Sequence, residues 1–119
     1  MLKRAESFFR DAKYDLENND YDLAMFHIEQ AVQQLIKAKL LDLKGSYERT
    51  LSLRKLLNDL SSLIKSDRIR DFIKENRKVL RDLERAYISS RYYYEEFFRD
   101  EVENAMKIYY ELRDILWRE

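Results

Sequence analysis

No proline interrupts these 119 residues, and the one glycine, Gly45, closes a long amphipathic run. A chain that turns often needs residues that preset or relax the backbone. Without them, this composition suits long helices joined by short connections.

The run itself starts at Asp20. Ala24, Ile28, Ala31, Leu35 and Ala38 recur at alternating steps of four and three, so they share one side of an α-helix. Three of the five are alanines, small enough to let a neighbouring helix approach closely, while Met25, Val32 and Ile36 widen the apolar face. The pattern predicts the central helix of a bundle, roughly 35 Å long at about 1.5 Å per residue. Asp20 is placed to cap it, Asp22 lies in its first turn, and Gly45 stands where a left-handed residue ends a helix. A second line on the same helix is polar: His27, Gln30, Gln34 and Lys37. It reads either as a partly solvated edge, with Gln30 hydrogen-bonded inside the bundle, or as the floor of a polar groove.

Other segments carry the same period. Leu2, Ala5, Phe8 or Phe9, Ala12 and Leu16 predict a first helix to Glu17, broken by Asn18, Asn19 and Asp20. So short a connection makes the first two helices antiparallel neighbours. Thr50 or Ser52 can cap a third helix carrying Leu53, Leu56, Leu57 and Leu60. A fourth is predicted from about Asp67 to Ser89, and a last one capped by Asp100 with Val102, Ala105, Tyr109, Leu112 and Leu116 inward. Between them, Ser89 to Phe98 breaks the pattern. Two serines, an arginine, three tyrosines and a Phe-Phe pair cannot share one helix face, which predicts an irregular connection with exposed aromatics. The expectation is a single all-α domain over residues 1–119, an antiparallel up-and-down bundle of four to five helices.

Composition narrows the chemistry. Twenty-three basic residues balance twenty-three acidic ones, so net charge alone holds this chain to neither nucleic acid nor membrane. There is no cysteine and one histidine, which excludes disulfides and argues against zinc; no metal and no cofactor are expected. The first residues enter an amphipathic pattern without the apolar core of a signal peptide, and no apolar run reaches the length of a membrane span. A cytoplasmic protein is expected.

Asp20-Tyr21 with Ala24, Phe26, His27, Gln30-Ala31 and Lys37-Ala38 resembles the second-helix signature of HEPN domains, the higher eukaryote and prokaryote nucleotide-binding family. Tyr87-Ile88-Ser89-Ser90-Arg91-Tyr92 resembles that family's turn before its last long helix. The resemblance covers nearly the whole chain. It implies a helical bundle, a homodimer, and a minimal nucleotidyltransferase partner in toxin–antitoxin-like pairs. Many members are ribonucleases that pair an arginine with a histidine four to six residues later. Here Arg91 is present and no histidine follows it, and Thr50 is followed by Leu51 where the family commonly has a histidine.

Metal-free RNA cleavage needs a base for the 2′-hydroxyl, an acid for the leaving oxygen and a cation over the phosphate. Arg91 supplies only the last, and His27 is far from it in sequence. No catalytic residue is therefore assigned. Binding is better supported: Arg91 beside Tyr92, Tyr93 and Tyr94 combines a phosphate fork with faces on which a base can stack. Lys37 and Gln30 would add charge and hydrogen bonds to the same ligand. The expected function is a nucleotide- or RNA-binding module without ribonuclease activity. The alternatives are an active ribonuclease using Arg91, or a structural dimer whose interface the tyrosines pack.

Overall fold

The computed structural model describes residues 1–92 and 95–117, the side chains of Arg91 and Tyr92 excepted. Six helices and no strand occur among them: α1 Leu2–Glu17, α2 Tyr21–Lys44, α3 Leu53–Ile64, α4 Asp67–Glu75, α5 Arg77–Tyr92 and α6 Arg99–Trp117. The fold is all-α.

Helix α2 is the axis of the molecule. Its 24 residues would extend about 36 Å, close to the 38 Å long dimension of the bundle. Ala24, Met25, Ile28, Ala31, Val32, Ile36 and Leu40 are fully enclosed. Burial on this scale needs neighbours on several sides, and α1, α5, α6 and α3 provide them. Ala38, at the end of the predicted stripe, is only half-buried.

Directions follow from side-chain pairs. Asn18, Asn19 and Asp20 turn α1 back along α2, with Asn19 in the left-handed region at φ 58°, which asparagine tolerates. Phe26 of α2 faces Tyr87 of α5, while Asp22 lies by Ser89 and Ser90, so numbers rise along one helix as they fall along the other. Arg99 at the start of α6 reaches Asn19 and Leu16, and Trp117 at its end meets Lys39. Thus α1, α2, α5 and α6 run alternately up and down, and the shorter α3 and α4 are inserted between α2 and α5.

The helix ends correct several expectations. Gly45 ends α2 in the left-handed conformation, φ 74°, as its position predicts, but the Asp20 side chain makes no capping bond. Ser52, not Thr50, caps α3 by accepting from the Lys55 N–H. The predicted fourth helix is two: Asn76 donates its side-chain amide to the Phe72 carbonyl, competing with the backbone and separating α4 from α5. Ser89 to Tyr92 belong to α5 rather than to an irregular bend, which is confined to residues after Tyr92. Helix α6 starts at Arg99, one residue before the predicted cap, and Glu101 accepts from the Phe98 N–H at that end. The Asp100 carboxylate instead lies in the first turn, where the helix dipole favours it.

Because Ala31 has no accessible surface, a larger side chain there must displace a neighbouring helix. Ala31→Leu is expected to lower unfolding stability by about 1–3 kcal/mol in urea melts. An unchanged midpoint would contradict tight packing on α2.

Candidate functional site

The N-terminal turn of α2 and the C-terminal turns of α5 meet at the same end of the bundle. They enclose a cleft of about 250 Å3, lined by Asp22, Leu23 and Phe26 from α2, Ser89 and Ser90 from α5, and Glu95. The Ser89 and Ser90 hydroxyls donate to the Ala86 and Tyr87 carbonyls of their own helix, 3.2 and 2.7 Å away, which leaves their oxygens as acceptors. Glu95 is held by the Arg85 Nε at 3.0 Å, and Arg85 also bonds Asp82 at 3.2 Å. Arg85 thereby ties the segment preceding α6 back onto α5, with Phe97 buried beneath it.

Chemically this cleft offers carboxylates, hydroxyl oxygens and an apolar wall. That set suits the hydroxyls and ring of a nucleoside, and an anionic phosphate there requires a cation from the rim. Position 91 lies in α5 immediately after Ser90, at that rim. The Arg91 and Tyr92 side chains, and Tyr93 and Tyr94 entirely, lie outside the described residues.

Lys37 and Gln30 stand elsewhere. Fifteen residues separate Asp22 from Lys37, about 22 Å along the helix axis. The Lys37 ammonium lies 5.2 Å from the centre of the Tyr47 ring, in a different cleft with Arg49, Thr50 and Leu51. The Gln30 amide donates to Glu29 at 2.7 Å. The polar line of α2 therefore serves its own bundle over its first half: His27 Nδ1 is 2.6 Å from the Asp15 carboxylate of α1, and the His27 ring stacks on Phe8.

Sequence reasoning missed the buried acids. Glu29 has no accessible surface, and its two oxygens accept from Gln30 and, at 2.5 Å, from Gln33. Burial pushes its carboxyl up to about 7, against the pull of both amides and of the Lys37 charge. Burial likewise raises Asp15 above the usual carboxylate range, although His27 opposes it. A signal was available. Glu29 falls four residues after Met25 and three before Val32, in step with the second apolar line of α2, and Asp15 falls three after Ala12. Among the described residues no group of three or more acids and histidines could hold a metal ion, and no helix is long and apolar enough to cross a membrane.

The sign of the linkage follows from Glu29. Its folded form keeps its proton up to about pH 7, whereas the unfolded chain releases it near 4.5. Stability therefore falls as pH rises from about 4.5 through 7, because the folded state binds the extra proton. Glu29→Gln, which mimics the protonated acid, is expected to flatten that slope and to gain up to about 3 kcal/mol at pH 8 relative to pH 4. Denaturant melts across this range check it; an unaltered slope would mean that the carboxyl does not titrate there.

Comparison with known proteins gives one match. The model of the HEPN domain family covers residues 1–119. Neither a curated protein nor a solved structure matches the chain.

Proposed function

Since the chain belongs to the HEPN domain family over its whole length, we propose that it is a nucleotide- or RNA-binding module without ribonuclease activity. In this reading it dimerises and acts with a minimal nucleotidyltransferase. The observation that carries the binding reading is the cleft between α2 and α5, whose Ser89 and Ser90 wall leads directly to position 91. Arg91 is its phosphate-binding group, and Tyr92 and Tyr93 are its stacking faces. Phe26 and Leu23 form the apolar wall, and the serine oxygens and Asp22 accept from ligand hydroxyls.

The non-catalytic reading is supported by the single histidine. No imidazole follows Arg91 in the sequence, and His27 is committed through Nδ1 to a buried aspartate on α1, on the other side of α2 from α5. Acid–base cleavage of RNA would lack its usual proton carrier at the cleft.

Two measurements test the proposal. Arg91→Ala is expected to weaken AMP or oligonucleotide binding by tenfold or more in a titration, since a charge-assisted phosphate contact contributes about 1.5–3 kcal/mol; unchanged affinity removes Arg91 from the site. Labelled RNA incubated with the purified protein in metal-free buffer is expected to remain intact, and cleavage that Arg91→Ala abolishes would restore the ribonuclease reading.

A further inference from the structure

A neutral chain can still concentrate its charge, and this one does so on the outward side of α5. Arg54, Lys78, Arg81 and Arg85 line a cleft of about 560 Å3 between the start of α3 and the first turns of α5. A second cleft of about 450 Å3 shares Arg54 and adds Lys55 and Arg77. The two form one trough with six cationic side chains, all exposed.

The trough contains two acids, and the fold already uses both. Asp82 is 4% exposed and holds Lys78 at 3.1 Å and Arg85 at 3.2 Å. Glu84 is directed at the start of α3, where it accepts from the Ser52 hydroxyl at 3.5 Å and the Arg54 N–H at 3.4 Å. Arg54, Lys55, Arg77 and Arg81 are left with no carboxylate partner among the described residues. Four uncompensated cations facing one concavity focus a positive potential there.

We infer that this trough holds the phosphodiester backbone of an RNA strand. Arg77, Arg81 and Arg85 repeat every four residues along α5, about 6 Å apart, a row of charges suited to successive phosphates rather than to one. Ser52 and Asn58, in the second cleft, supply neutral hydrogen-bonding groups within reach of ribose hydroxyls. No aromatic residue lines either cleft, and the apolar contribution is limited to Ile73 and Ile88. Base stacking is therefore absent from the trough, so its grip is on the backbone and independent of sequence. The α5 axis carries such a strand toward the Ser89–Ser90 cleft. The inference deepens the proposed function and rests on it, because it names a strand rather than a mononucleotide as the ligand.

The test uses the full chain, with AMP and a labelled oligouridylate of about twelve nucleotides as probes, over a salt series. The double variant Arg54→Gln/Arg81→Gln removes two unpaired, exposed cations. It is expected to bind the oligouridylate at least tenfold more weakly, with the slope of log K against log salt reduced by about one. AMP binding is expected to be unchanged, and Arg54→Lys/Arg81→Lys should restore most of the oligouridylate affinity. If the double variant loses its helical signal, Lys55→Gln/Arg77→Gln makes the same test from the second cleft. Full-strength oligouridylate binding in the glutamine variants overturns the trough and leaves the Arg91 site standing. Wild type that binds AMP but not the oligouridylate also overturns it. Wild type that binds neither overturns both readings. Polyglutamate binding as tight as the oligouridylate would make the trough a site for acidic protein instead.

Discussion

The constraint on which the rest of the structure depends is the enclosure of α2. One helix as long as the molecule is surrounded by α1, α5, α6 and α3, and it can be so because alanines at 24 and 31 let other backbones come close. Enclosing a helix on all sides leaves it almost no surface on which to carry charge. What polar groups it keeps must be satisfied inside, and the charge of the protein is displaced to its outer helices.

Both consequences are visible. Inside, Glu29 is surrounded by glutamine amides, and His27 is joined to Asp15 across the α1–α2 contact. A buried carboxyl without such donors would cost several kcal/mol in desolvation, so Gln30 and Gln33 are as much a part of the core as Ile28. Outside, α5 buries Leu80, Leu83 and Ala86 on one side and presents Arg77, Arg81 and Arg85 on the other. Asp82, although buried, sits at the edge of that division and holds two of the cations.

Much of this arrangement was legible in the residues. The 3.6-residue period located the long helices, Gly45 fixed the end of α2, and the sequence around Arg91 pointed to the family that the family model matches over residues 1–119. What the period could not show was which polar residues lay inside it. Glu29 keeps step with Met25 and Val32, yet hydropathy patterns treat a carboxylate as solvent-facing, and only the paired amides make its burial tolerable. The division at Asn76 was equally hidden. It depends on a side-chain amide reaching a carbonyl one turn back, a competition that apolar spacing does not register. Grouping Lys37 with Arg91 came from placing both on polar ground without a register between α2 and α5; the Phe26–Tyr87 pair supplies that register and separates them. The α3–α5 trough was invisible for the same reason, since Arg54 and Arg81 meet only once both helices are packed.

If α2 satisfies the interior and leaves the outward side of α5 to meet ligand, amide chemical shifts will say so residue by residue. In a heteronuclear NMR titration of the labelled protein with single-stranded RNA, the largest changes are expected along residues 77–90 of α5 and 52–55 at the start of α3, with α1 and α6 little affected. Shifts centred on α1 and α6, or none at all, would contradict it.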